Sequence, residues 1–109
     1  FMEISFKTKK IATLCNKNNK AVKKFGADCA EKLQLRLQQL WSAECLEDMK
    51  YGRPHPLNGN REGQFAIDLA GAVRLVFEAL DPIPKTSDDA TDWGKVVAIN
   101  IVFLGDYHE

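Results

Sequence analysis

Two alternating runs, residues 64–69 and 73–80, constrain this chain more than any other feature. Phe65, Ile67 and Leu69 alternate with Gln64, Ala66 and Asp68. Val73, Leu75, Phe77 and Ala79 alternate with Arg74, Val76 and Glu78. Successive side chains of a strand point to opposite faces, so each run reads as a strand with one apolar face. A turn at Ala70-Gly71-Ala72 sets Leu69 opposite Val73 and Ile67 opposite Leu75. That register buries the odd residues together and puts Asp68 opposite Arg74 on the other face.

A third run closes the chain. Eight of the nine residues from Val96 to Leu104 are apolar, and most are β-branched, which predicts a strand buried on at least one face. Its odd members Val97, Ile99, Ile101 and Phe103 match the hairpin's core face, and Asn100 falls on the face of Arg74. Gly105, Asp106, Tyr107 and His108 follow directly. In a straight strand Tyr107 and His108 would point to opposite faces, so a bend is expected at Gly105.

Ahead of these strands the pattern is helical. Ile4-Ser5-Phe6 suffices for one edge strand. From about Lys9, residues Ile11, Leu14, Cys15, Val22 and Phe25 share a face. The run Asn16–Asn19 interrupts it, predicting a kinked helix or two short ones, ended by Gly26. Asp28, with Glu31 three residues on, is expected to cap the next helix. Its stripe is Ala30, Leu33, Leu37, Leu40 and Trp41, with Gln34, Arg36, Gln38 and Gln39 facing away. Cys45, Leu46 and Met49 add a short turn. Residues 51–60 read as loop, since Gly52, Pro54, Pro56, Asn58 and Gly59 punctuate them. Residues 81–92 read as an acidic loop that Trp93 ends. These elements define an α+β fold, with N-terminal helices packed on one face of a small antiparallel sheet.

At 109 residues the chain is expected to form one domain. Phe1 is expected to be a remnant preceding a native start at Met2. No apolar run approaches the roughly 18 residues of a membrane span, and no signal peptide is evident. Cys15, Cys29 and Cys45 show no CxxC spacing and read as small buried hydrophobes in a reduced compartment, so a cytoplasmic protein is expected. The 15 basic and 15 acidic residues cancel but are unevenly spread. Lysines crowd residues 1–36, whereas Glu78, Asp81, Asp88, Asp89 and Asp92 face only Lys85 in residues 78–92. The basic half either meets nucleic acid phosphates or is a solvated helix face.

The groups with chemistry are His55 and Arg61 in the central loop, Arg74 on the hairpin, and the Asp106-Tyr107-His108 tail. No serine or cysteine stands beside a histidine as a triad would need. There is no phosphate loop and no GxGxxG. His55, His108 and Asp106 are types that bind metals, but their spacing is not local and matches no metal motif. RNA cleavage by the ribose's own 2′-hydroxyl needs no metal or other cofactor. It needs a base, a cation on the phosphate and an acid for the leaving oxygen, and histidine and arginine suit those parts. Against this stand plainer readings: a surface histidine, an Arg74–Asp68 salt bridge, Tyr107 as a plug and His108 as a frayed terminus.

Several segments resemble the HigB-type "plasmid maintenance system killer" toxins of the RelE/ParE superfamily. The first is Leu14-Cys15-Asn16 with Lys20-Ala21 and Phe25-Gly26. The run from His55 to Gln64 resembles that family's H-x-L-x-G-x-R-x-G-Q segment. Residues 74–78 resemble its arginine-bearing strand, and Trp93 with Gly105-Asp106-Tyr107-His108 its closing strand and tail. The resemblance implies a microbial-ribonuclease-like fold and a ribosome-dependent mRNA endonuclease of a type II toxin–antitoxin system. Its partners would be the ribosome, mRNA and a cognate HigA-like antitoxin, a helix-turn-helix DNA-binding protein, with no membrane involved. Carried over by position, His55, Asp106, Tyr107 and His108 are the catalytic cluster and Arg74 holds the phosphate. Arg61 either joins it or braces the loop. Asn58, Lys20, Lys23 and Lys24 are further candidates for contact with RNA. The chain departs from its relatives in being neutral overall, and Asn58 and Asn60 stand where lysine or an acidic residue is frequent. Superfamily members of the ParE branch target gyrase instead and lack the catalytic set. Two other readings therefore stand: a non-catalytic gyrase inhibitor and an inactive antitoxin-binding module.

Overall fold

The computed structural model describes residues 1–106. Strand β1 (Glu3–Phe6) leads into helices α1 (Lys9–Asn16), α2 (Asn18–Phe25) and α3 (Ala27–Ser42). Four strands follow: β2 (His55–Pro56), β3 (Phe65–Asp68), β4 (Arg74–Ala79) and β5 (Ala98–Gly105). They form one sheet in the order β1-β5-β4-β3-β2. All neighbours are antiparallel except β1 and β5, which pair in parallel from Glu3 opposite Ala98 to Phe6 opposite Ile101. The α+β architecture with helices on one face is therefore as expected, but the sheet is mixed. A parallel pair needs a long crossover, and here everything between β1 and β5 supplies it.

The hairpin adopts the register read from its alternation. Ile67 lies opposite Leu75 and Asp68 opposite Arg74, and Leu69 N–H donates to the Val73 carbonyl across the turn. The odd residues Phe65, Ile67, Leu75 and Phe77 join Ile99 and Ile101 in the core, against Leu14, Ala21, Ala30, Leu33 and Leu40 of the helices. Each fully buried Leu, Ile or Phe contributes about 1.5–3 kcal/mol.

β5 departs from simple alternation. The β4–β5 register shifts between Val76 and Phe77, so that Phe77 faces Ile101 but Val76 faces Phe103. This bulge sends Phe103 to the outer face and Leu104 to the core, correcting the expectation that Phe103 is a core residue. Val97, expected on the core face, precedes the strand and is exposed. The outer face is closed at its centre, where Ala66 and Val76 are fully buried.

The helical half contains two short helices separated at Lys17, the outcome expected of the asparagine run. Thr8 caps α1, its hydroxyl accepting from Ile11 N–H. Gly26 (φ 90°) both ends α2 and starts α3. Asp28 thus falls inside the first turn and makes no capping box, though its charge still suits the helix N-terminus. Trp41 is half exposed and stacks on Phe1 instead of completing the core stripe, while its carbonyl accepts from Met2 N–H just ahead of β1. Trp93 instead joins the core, packing on Phe65 and Phe77. Residues 81–92 carry a small bridge between Lys85 and Thr91. Among the described residues no helix is long and apolar enough to cross a membrane.

Cys15 and Cys29 are buried, while Cys45 is half-buried outside any helix. Burial pushes the Cys15 thiol up to about 12 and raises that of Cys29, the latter offset in part by a hydrogen bond with the Ala70 backbone. A thiol reagent at pH 8 should therefore modify Cys45 first and Cys15 only at the rate of unfolding, because the thiolate is the reactive form. Rapid labelling of Cys15 in the native protein would contradict this packing.

One loop position is sterically committed. Gly52 (φ +78°) would place a Cβ 2.6 Å from Ile67 Cγ2 and 3.0 Å from the Asp68 carbonyl oxygen. Its own carbonyl accepts from Asp68 N–H at 2.7 Å, tying the 50–54 loop to β3. Gly52→Ala should cost about 2–4 kcal/mol in urea unfolding, since both the backbone conformation and the contact are lost.

Candidate functional site on the outer face of the sheet

His55 enters the sheet through β2, a two-residue strand inside a segment that reads as loop. His55 lies opposite Ala66 and Pro56 opposite Phe65. Opposed residues share a face, so His55, Ala66, Val76 and Phe103 form one row across the outer face. At about 4.8 Å per strand the row spans roughly 14 Å. His55 Nδ1 lies 2.7 Å from the Arg53 carbonyl oxygen. A carbonyl only accepts, so Nδ1 carries a proton, and in the neutral ring Nε2 is the basic nitrogen. His55 is half-buried and remains reachable by solvent.

The strut behind His55 is electrostatic. Asp68 accepts from Arg53 Nε at 2.8 Å, and its other oxygen lies 2.8 Å from Arg74 Nε. Arg74 Nη1 also donates to the carbonyls of Gly71 and Val73. The sequence's Asp68–Arg74 pair therefore forms, and Arg53 is added to it. Arg53 holds a positive φ of 50°, rare for a residue other than glycine. That geometry turns its carbonyl toward His55 while its side chain reaches Asp68.

Arg61 reaches the same face from the other side. It ends a 3-10 turn, Gly59–Arg61, and its guanidinium lies over the Phe103 ring, 4.6 Å from the centroid. Arg61 Nη1 donates to Gln64 Oε1 at 3.1 Å, and Gln64 Nε2 donates to Glu78 Oε1 at 3.1 Å. Asn58 is exposed at the start of that turn, where its carbonyl accepts from Arg61 N–H.

Asp106 follows Gly105, which lies opposite Arg74 and takes φ 156°, a backbone value that L side chains rarely adopt. Gly105 is still part of β5, and the bend expected beyond it lies outside the described residues. Asp106 lines a groove of about 680 Å³ with Lys10, Lys24, Phe25 and Phe103. A second groove of about 530 Å³ continues from it between α1 and α2. Lys9, Lys10, Lys20, Lys23 and Lys24 rim this groove over Thr13 and Leu14. Lys20, Lys23 and Lys24 are thus gathered with two lysines of α1 that sequence reading left out. Tyr107 and His108 lie outside the described residues.

The structure therefore brings His55 and Arg61 to one face and Arg74 and Asp106 to one end of it. It leaves Lys20, Lys23 and Lys24 on an adjoining groove. Sequence reading missed Phe103, because the bulge hides its face. It also missed the Gln64–Glu78 contact, although extending the hairpin register by one pair sets those residues opposite each other.

Solved structures share this fold, among them these two. One is a YoeB–YefM complex from Staphylococcus aureus, with TM-score 0.59 and 18% identity, covering 100% of this chain and 99% of that one. The other is a YoeB/ParE toxin from Agrobacterium tumefaciens, with TM-score 0.53 and 13% identity, covering 97% and 99%. At these identities the likeness establishes the fold. No protein-family model matches the chain, and no curated protein matches it in sequence.

The bracing has a measurable consequence. Asp68→Ala strands Arg74, whose side chain is only 17% exposed, and should cost about 1–2 kcal/mol in urea unfolding. Arg53→Ala, at a side chain 66% exposed, should change stability by less than about 0.5 kcal/mol. Equal losses for the two variants would contradict this division of labour.

Proposed function

We propose that this protein is the toxin of a type II toxin–antitoxin system and an endoribonuclease that cleaves mRNA on the ribosome by metal-free acid–base catalysis. The observation that carries the reading is His55: its Nδ1–H is fixed on the Arg53 carbonyl, leaving Nε2 basic on the face that also presents Arg61. The shared fold with a YoeB/ParE toxin and with a YoeB–YefM complex supports a toxin that binds a protein antitoxin. The HigB-like segments add the more specific assignment and the HigA-like partner.

In this mechanism His55 Nε2 takes the 2′-hydroxyl proton, and the 2′-oxygen attacks the adjacent phosphorus. The bond to the 5′-oxygen breaks, leaving a 2′,3′-cyclic phosphate, and an acid on the tail, His108, protonates the departing oxygen. Arg61 and Arg74 stabilise charge on the phosphoryl oxygens. Arg74 does so through Nη2, since the turn carbonyls hold Nη1 and the ion pair with Asp68 occupies the Nε side. An arginine held in this way is aligned before substrate arrives. Tyr107 holds a ribose or base, and Asp106 belongs to the same catalytic cluster. Lys9, Lys10, Lys20, Lys23 and Lys24 carry the RNA backbone along their groove, with Asn58 at the loop end.

The test is expression of wild type, His55→Ala and Arg61→Ala, reading growth and mRNA ends on translating ribosomes. His55→Ala should lower cleavage by about 10²–10⁴-fold. Arg61→Ala should lower it by about 10–10³-fold, with wild-type folding retained. Undiminished cleavage by His55→Ala removes the proposed site. Inactivation by a chelator would require a metal, and growth arrest with intact mRNA and lost DNA supercoiling would identify gyrase as the target.

A further inference from the structure

We infer that Gln64 and Glu78 are positioning residues that hold Arg61 over Phe103, so that the guanidinium meets an RNA phosphate in a preset orientation. The inference rests on the ribonuclease reading for its function and on geometry alone for the positioning. Arginine can only donate, and an ionised carboxylate can only accept. The Gln64 amide between them therefore has one workable orientation, oxygen toward Arg61 and nitrogen toward Glu78, as the two 3.1 Å contacts show.

The backbone supports the same arrangement. Gln64 N–H donates to the Arg61 carbonyl at 3.0 Å, and the Gln64 carbonyl accepts from Leu57 N–H at 2.9 Å. Gln64 thus closes the 57–64 loop with its main chain and aims Arg61 with its side chain. Glu78 is supplied by β4, the central strand, so the relay refers the loop's arginine to the rigid sheet. Phe103 supplies a further restraint: a ring beneath the guanidinium fixes the plane in which it donates to phosphate oxygens. Glu78 also sets a negative charge near the site, so the relay trades some attraction for RNA against orientation.

These roles predict a split between rate and affinity. Gln64→Leu should lower kcat about tenfold with KM nearly unchanged, because orientation acts in the transition state. Glu78→Ala should lower kcat several-fold while KM falls, since a repulsive charge is removed. Glu78→Gln keeps an acceptor for Gln64 Nε2 and should restore most of kcat. The positioning is read separately by NMR on the whole protein. The Arg61 Nε–H signal should be displaced by the Phe103 ring current, and Phe103→Leu, Gln64→Leu and Glu78→Ala should each return it toward the exposed-arginine position. Backbone spectra of the variants verify folding, and the surface variant Glu78→Ala serves if Gln64→Leu unfolds. An Arg61 signal unmoved by Glu78→Ala, or a KM that rises with kcat unchanged, overturns the relay. Absence of cleavage by wild type with the NMR shifts as expected removes the ribonuclease reading and leaves the positioning intact.

Discussion

The bulge between Val76 and Phe77 is the constraint on which the site depends. On its N-terminal side β5 follows the period of the hairpin, and Ile99 and Ile101 lie in the core. Beyond it the chain is one residue out of step. Leu104 turns into the core and Phe103 turns out, where a large ring becomes a support for Arg61. Without the shift Phe103 would lie under the helices, and Arg61 would stand over the strand with no aromatic beneath it. The same displacement sets Gly105 opposite Arg74, so β5 ends beside the Asp68 ion pairs.

Much of this was legible in the sequence where period and partner agreed. The hairpin declared its register because two alternations shared one turn, and its charged pair, Asp68 and Arg74, came with it. The break at Asn16–Asn19 and the stop at Gly26 were readable from backbone chemistry. Other features were hidden for physical reasons. A bulge erases period 2 at the residue where it matters, so Phe103 could not be assigned a face. Prolines on both sides of His55 signalled a loop, yet two residues of ladder with β3 suffice to make it an edge strand. Trp41 fitted a helical stripe, but it falls in the last turn of α3, where its ring meets Phe1 instead of the core. The lysines of α1 and α2 were visible as charge, whereas their convergence on one groove depends on how two helices meet across Lys17.

Charge is segregated in this molecule more than its balance suggests. Five lysines rim one groove, while the acidic residues of 78–92 lie in and beside the loop that follows β4. Net neutrality therefore says little about the field a polyanion would meet, because attraction over about a Debye length of 8–10 Å is decided locally. A neutral chain with a basic groove can favour one orientation of approach where a uniformly basic one would bind RNA on any side.

The parallel pairing of β1 with β5 carries a consequence for synthesis. Residues 3–6 have no strand partner until residues 98–101 are made, the longest-range contact the sheet makes. Such pairing makes the fold slow to nucleate from its N-terminal end. Helices and hairpin emerge earlier from the ribosome, but β5, which holds Phe103 and leads to Asp106, arrives late. A partly translated chain consequently has no assembled outer face.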